Sequence, residues 1–404
     1  MKKIYFILTL TLLLGATSCR DEMPGMQNPS TEKITTWEQL FESYWKGMNN
    51  NYVFWDIDPT DWDAVYREYK PKFKSIDIEG EDEETAEKVK KWIEEMSSQL
   101  IDHHLSITIK ALKDENGNPY SFSPGYKKVS EREEYRENLV PLTKMDVITR
   151  LKNEGRLDGS GIKFPPEEDL RERYYITGLL DNQIAYISFS SFNFLYDLNS
   201  ENNAKELKPL LDNYYDLLDS YEGLKGVIID IRGNTGGYLK DLGTVLGKFV
   251  SEPLQIGSTK MKNGAGRLDY TPRVPEYLMP SGCKRNLGNI PVVVLADMHS
   301  ISMAEMTTLT VLQLPKGNGV FIGERTFGGT GTINFDFESA YGGLFENEYL
   351  QVYTCATNTV YNSGQSYEGK GVPPTIECRL DTDLILQGID NQLERAVEYI
   401  ETGK

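Results

Sequence analysis

Ser300 and Ser302 lie in the stretch 291–305, PVVVLADMHSISMAE, where the apolar run Val292–Leu295 ends in a turn of small residues and a helical pattern begins. A hydroxyl at such a junction can face the crevice beyond the strand, with the next residue's N–H placed to help bind an oxyanion. The chemistry would be nucleophilic acyl transfer, and it requires a base, because a serine hydroxyl is a poor nucleophile until its proton is accepted. Taken alone, either serine reads better as the N-cap of the helix that follows. Histidine, with an unperturbed pKa of about 6.5, suits the task near neutrality, and the chain has only three: His103, His104 and His299. A second junction of the same form occupies 224–237, LKGVIIDIRGNTGG. There the run Val227, Ile228, Ile229 and Ile231 breaks at Gly233–Gly237, a turn that can point backbone N–H groups at an anion or a developing oxyanion. An ordinary turn between strand and helix fits that stretch equally well. A phosphate loop does not, because Tyr238-Leu239-Lys240 follows where Gly-Lys-Ser/Thr would be needed.

The elements that must position these groups follow from periodicity. A helix is expected from Thr36, with Gln39 completing a capping box and Trp37, Leu40, Phe41, Tyr44, Trp45 and Met48 on one face. A second should start at Thr60, and a third near 83–101 with Val89, Trp92, Ile93, Met96 and Leu100 in a stripe. Helical period then gives way to alternation in Leu100–Ile109, which puts His103 and His104 at a helix-to-strand junction. Residues 111–170 are polar and poor in apolar periodicity, and read as a linker or loosely packed insert. From Tyr174 the pattern is α/β: strand Ile184–Phe189, helix Leu207–Leu218, the strand and helix around the glycine turn, strand Val292–Leu295, a helix after Ser302, strand Val320–Ile322, a β-rich stretch near Tyr349–Val360 and one amphipathic helix over 379–404.

The chain has 404 residues, 39% of them hydrophobic, enough for two or three domains with a sizeable core. A formal charge of −18 argues against nucleic acid as a partner, since phosphate binding needs Lys and Arg to displace counterions. Beyond Cys19, the cysteines Cys283, Cys355 and Cys378 are odd in number and lack metal-ligand spacing, so one at least stays free, and neither a metal nor another cofactor is expected. Lys2 and Lys3 precede the apolar run Ile4–Leu14, too short to span a bilayer, and Gly15-Ala16-Thr17-Ser18 leads to Cys19. This segment resembles a bacterial lipoprotein signal in which Cys19 becomes the lipidated first residue, and Arg20-Asp21-Glu22 is similar to the acidic export tags of Bacteroidetes surface lipoproteins. The resemblance implies an outer-membrane lipoprotein facing the cell surface or the periplasm, touching the membrane only through its lipid.

The blocks GVIIDIRGNTGG (226–237), PVVVLADMHSISMAE (291–305), GVFIGERTFGGTG (319–331) and YEGKGVPPTIEC (367–378) are similar, in order and spacing, to those of the C-terminal processing (tail-specific) serine peptidases and the tricorn protease core. The residues 36–110 resemble the helical domain preceding the core in the tricorn-like branch. The resemblance implies an α/β fold with a crotonase/ClpP-like ββα spiral core. It divides the chain into a signal peptide (1–19), a flexible tether (20–35), an N-terminal helical domain (36–110), a linker or degenerate insert (111–173) and a catalytic domain (174–404). It also implies a serine-type endopeptidase acting on peptides or proteins through an acyl-enzyme. Ser302, three residues before Glu305, takes the nucleophile's place, with Ser300 its neighbour. The N–H groups of Met303 and of Gly237, or else Gly236, form the oxyanion hole.

In the larger branch a Lys follows Thr-Phe-Gly, but after Thr326-Phe327-Gly328 this chain has Gly329, which speaks against a Ser-Lys dyad. The tricorn-like branch uses a His, matched by His104 in IDHHLS, oriented by an acid matched by Glu368. The Ser that links base and acid there is replaced by His103, which either bridges or faces solvent. His299 is the alternative base, more simply read as structural, and Glu305 is expected to support the helix after Ser302. A peptide-binding lipoprotein that has kept the fold without activity is the alternative, and acyl-CoA chemistry is disfavoured by the Ser-x-x-Glu turn. The glycine loop of a PDZ domain is not found in 111–170, which leaves tail specificity unsupported.

Overall fold

The computed structural model describes residues 34–76, 83–167, 170–333 and 341–404. Cys19, the leader and most of the 20–35 tether lie outside the described residues.

A seven-stranded sheet carries the C-terminal part. Across it run Ile376–Glu377, Gly319–Gly323, Val292–Ala296, Gly226–Asp230, Ile184–Phe189, Arg173–Leu180 and Leu157–Phe164. The first five are mutually parallel and the last two pair antiparallel. The central apolar runs do not alternate with polar residues because both faces are covered. Ala185, Ile187, Val227, Ile229, Val292 and Val294 pack against the helices Glu201–Ser220 and Met303–Val311. Their neighbours Ile184, Tyr186, Ile228, Val293 and Leu295 face the helices Leu139–Asn153 and Asn391–Thr402.

The N-terminal unit consists of helices Trp37–Asn51, Trp62–Lys74 and Glu83–Ser97 around a core containing Phe41, Tyr44, Trp62, Phe73 and Ile93. Trp45 and Trp62 donate their indole N–H groups to each other's carbonyls, which locks the first two helices at one height. The first cap is staggered by one residue. Thr36 accepts from the Gln39 N–H, but the Gln39 side chain returns to Thr35. The second helix is capped by Asp61, not Thr60, because the Asp61 carboxylate reaches the Ala64 N–H.

Two expected boundaries are corrected. Residues 111–173 are not a linker: they contain the helices Pro124–Ser130 and Leu139–Asn153 and the edge strand of the main sheet. Their polarity reflects an edge strand in which only Leu157 and Phe164 are buried and the middle is Gly-Ser-Gly. Gly159 and Gly178 face each other across that edge, where a Cβ on Gly159 would lie 2.3 Å from the Thr177 carbonyl oxygen. The division between 36–110 and 174–404 also fails as a structural boundary, since Ser106–Lys113 pairs antiparallel with Leu350–Tyr353 and joins the two ends of the chain in one sheet. Two expected helices are broken as well. The segment after the glycine turn splits into short pieces over 239–249, and the C-terminal helix starts afresh at Asn391 after Gly388, whose φ is +76°.

Candidate active site

The glycine turn and the serine turn stand side by side at the carboxyl ends of adjacent parallel strands, and polar side chains fasten them. The Ser300 hydroxyl donates to the Ile231 carbonyl (2.8 Å), the Gly233 N–H to Asp297 Oδ1 (3.0 Å) and the Ile301 N–H to the Asn234 carbonyl (2.9 Å). Ser300 is fully buried in this seam. Beneath it lies a buried group of two cations and two carboxylates. Arg232 is forked between Asp230 and Asp390, and Lys144 reaches Asp230 at 2.5 Å. Burial works against the charge on Asp230, but Arg232 and Lys144 hold its carboxyl below the usual range.

Ser302 has φ +60° and ψ −116°, a conformation that a residue with a side chain rarely adopts. Its N–H donates to the Gly329 carbonyl (3.0 Å) and to Glu305 Oε2 (3.3 Å). Glu305 is fully buried and also accepts from the Thr326 hydroxyl (2.6 Å) and the N–H groups of Gly328 (2.8 Å) and Gly329 (2.7 Å), so one carboxylate ties the serine turn to 326–329. Burial raises its pKa to about 7 against the pull of these donors.

The two oxyanion alternatives separate. The Gly236 N–H is committed to Asn234 Oδ1 at 2.8 Å, which removes Gly236 as a donor. The N–H groups of Gly237 and Met303 have no partner among the described residues. Gly236 matters for space instead: a Cβ there would lie 2.7 Å from Ser302 Cβ and 3.0 Å from the Met303 nitrogen.

His104 reaches this place from the N-terminal unit. Its N–H donates to Asp102 Oδ1 (2.8 Å), and its Nδ1 lies 3.5 Å from Cys355 Sγ. The ring lies against Gly329, where a Cβ would be 2.9 Å from His104 Cε1 and 3.0 Å from Nδ1. The position that carries a Lys in the larger branch is thus occupied by a glycine that makes room for the imidazole. Burial lowers the His104 pKa below its ordinary value, and Asp102 partly offsets this.

Glu368 does not hydrogen-bond the His104 ring; it reaches the base through the main chain of His103, the residue at the linking position. Its Oε1 accepts from the His103 N–H (2.9 Å), and its Oε2 from Thr330 (N–H 2.7 Å, hydroxyl 3.1 Å) and the Gly331 N–H (2.7 Å). It fixes the main chain on both sides of the imidazole. The His103 ring neither bridges nor faces solvent. It is buried, its Nδ1 lies 2.9 Å from the Phe327 carbonyl, and burial pushes its pKa down to about 3. His299 sits apart, with Nε2 2.9 Å from the Arg136 carbonyl.

Two residues at the site were not anticipated. Asp102 is fully buried and collects the Thr354 hydroxyl (2.6 Å), the Cys355 N–H (2.7 Å) and Cys355 Sγ (3.3 Å) in addition to the His104 N–H. Cys355 is one of three cysteines of which the sequence says only that at least one stays free, and nothing in its local sequence signals its place. Asp102, His104, Cys355 and Glu368 offer donor atoms within 4.8 Å of one another, a grouping of the kind that could hold a metal. The carboxylate oxygens of that group are already engaged by main-chain and hydroxyl donors.

Residues 183–378 match peptidase family S41, and residues 35–81 match the tricorn protease C1 domain. The carboxy-terminal processing protease CtpA of Bacillus subtilis (strain 168) is 29% identical over 200 residues, covering 50% of this chain and 36% of that protein. CtpB of the same organism is 24% identical over 198 residues, covering 49% of this chain and 34% of that protein. The chain therefore spans only about a third of these two relatives. Among solved structures, a protein of Parabacteroides merdae ATCC 43184 described as a peptidase superposes with a TM-score of 0.58 at 21% identity, over 91% of this chain and 97% of that one. Mature CPAF complexed with lactacystin gives 0.52 at 12% identity, over 91% and 97%. These two likenesses speak to the fold, a mixed α/β core with a small helical N-terminal region. Over residues 183–378 the chain is thus similar to peptidase family S41, and the preceding segment 35–81 is similar to the tricorn protease C1 domain.

Proposed function

We propose that the protein is a serine-type endopeptidase in which Ser302 is the nucleophile and His104 the general base. The observation that carries this reading is a single juxtaposition. Ser302 is held in a strained turn beside two N–H groups without a partner among the described residues, those of Gly237 and Met303, while the His104 ring packs against the Gly329 whose carbonyl receives the Ser302 N–H. Ser302 Oγ attacks the carbonyl carbon of a peptide bond as His104 takes the hydroxyl proton. The oxygen that gains negative charge is received by the Gly237 and Met303 N–H groups, which are fixed in advance and need no reorganisation. His104 returns the proton to the departing amine, leaving an acyl-enzyme that water hydrolyses by the same route. Glu305 and Glu368 hold the loops and have no part in the proton transfers.

A fluorophosphonate probe should label the protein on the peptide containing Ser302, and Ser302→Ala should lose both the label and about 10⁴-fold or more of its turnover. Equal labelling of the two proteins would remove Ser302 from the mechanism. We extend the proposal to location: lipidation of Cys19 would tether the peptidase to the outer membrane through residues 20–35. Substrates would be peptide or protein segments.

A further inference from the structure

Among the described residues no carboxylate is hydrogen-bonded to the ring of the base; the atom that meets His104 Nδ1 is Cys355 Sγ, at 3.5 Å. We propose that Cys355 is a positioning residue of the peptidase, a thiol relay between His104 and Asp102 that fixes the tautomer of the base. The inference rests on the reading of His104 as general base. The argument is one of proton bookkeeping. Asp102 offers only acceptor oxygens, and its Oδ1 lies 3.3 Å from Cys355 Sγ, so the single thiol hydrogen goes to Asp102. Toward His104 the sulfur can then only accept. Nδ1 must carry the ring proton, which leaves the lone pair on Nε2, the nitrogen required to take a proton from a serine. When the imidazole becomes charged, the Nδ1–H, the polarised thiol and the buried carboxylate stabilise it in series. No bond breaks in this relay, and no proton leaves its heavy atom on the Cys355 side.

The surroundings are built to keep the sulfur there. The Cys355 N–H donates to Asp102 Oδ2 at 2.7 Å, so the backbone and side chain of one residue grip the same carboxylate. A Cβ on Gly331 would lie 2.6 Å from the sulfur, so the glycine leaves room for it. Burial and the neighbouring carboxylates Asp102 and Glu368 push the thiol far above its ordinary pKa, which keeps it a thiol and not a thiolate. The titratable groups around the ring are Asp102 and His103 on its own segment, Cys355 after the strand Leu350–Tyr353, and Glu368 on the turn between the strands Thr357–Tyr361 and Ile376–Glu377.

The test compares Cys355→Ala and Cys355→Ser with the wild type, using peptide turnover as a function of pH. The Ala variant should lose about tenfold to a hundredfold in kcat with KM changed by less than about threefold, a fraction of what general-base catalysis contributes. Its acid limb should move to lower pH, because the imidazolium has lost an acceptor. The Ser variant, which can both accept and donate, should recover most of the rate. An Ala variant with wild-type kcat and an unmoved acid limb would overturn the relay. Should the Ala variant not fold, ¹⁵N NMR of the neutral His104 ring in the wild type decides: a protonated Nδ1 supports the proposal and a protonated Nε2 overturns it. A wild type that neither cleaves peptides nor reacts with fluorophosphonate would count against the peptidase reading alone, since the tautomer is read without turnover.

Discussion

The two halves of the site are assembled in opposite ways. The half with the proposed nucleophile, Gly233–Gly237 with Ser300–Glu305, is local: two neighbouring parallel strands each end in a turn, and short side-chain bonds stitch those turns together. The half with the proposed base is a convergence of distant segments, with Asp102 and His104 from the N-terminal unit, Cys355 from beyond the strand Leu350–Tyr353, and Glu368 from the turn before the last sheet strand. Gly329 is where they meet, bonded to Ser302 on one side and packed against the imidazole on the other. A local half can be positioned by one sheet, whereas a convergent half depends on every segment keeping its place. The first should therefore resist perturbation until its foundation is removed, and the second should respond to small displacements.

The foundation of the local half is the buried set Lys144, Asp230, Arg232 and Asp390. Lys144→Ala leaves a carboxylate buried without its full complement of cations, and we expect a loss of about 3–5 kcal/mol, read from denaturant unfolding. A change under about 1 kcal/mol would mean that the set is not what anchors the turn. At the seam, Gly329→Ala places a methyl group 2.9 Å from His104 Cε1. The expected outcome is about a hundredfold fall in kcat with unfolding stability altered far less, because a displacement of about 1 Å in a catalytic group costs that much. The smallest effect is electrostatic. Burial lowers the His104 pKa, so the ring stays neutral and able to accept a proton at pH values where a free imidazole would already be charged. The acid limb of kcat/KM should thus fall below about pH 6.5, and Asp102→Asn, which removes an influence raising the pKa, should move it lower still. A limb above that value would contradict the described surroundings of the ring.

The same contrast decides what could be read in the sequence. The runs around Val227–Ile231 and Val292–Leu295, the breaks after them and the Ser-x-x-Glu spacing are local signals, and the structure places both turns at neighbouring strand ends. Asp102 and Cys355 carry no local signal, since an Asp before a strand and a lone Cys after one have many uses; only the pairing of Ser106–Lys113 with Leu350–Tyr353 brings them together. Glu368 could be picked out from its motif, but its partners are main-chain N–H groups that no side-chain pattern announces. Residues 111–173 hide their packed elements for a related reason. Their strand lies at a sheet edge, and the helix Leu139–Asn153 buries Thr143 and Lys144 among its apolar residues, so its inner face does not look hydrophobic.

The central claim is that a histidine delivered by the N-terminal unit activates a serine at the end of the main sheet. The most direct test is the rate at which a fluorophosphonate reacts with Ser302 in the wild type and in His104→Ala at pH 7, with unfolding curves to establish that both are folded. The account predicts that labelling slows by about a hundredfold or more in the variant, as loss of general-base assistance requires. An unchanged rate in a folded His104→Ala protein would show that His104 is not the base.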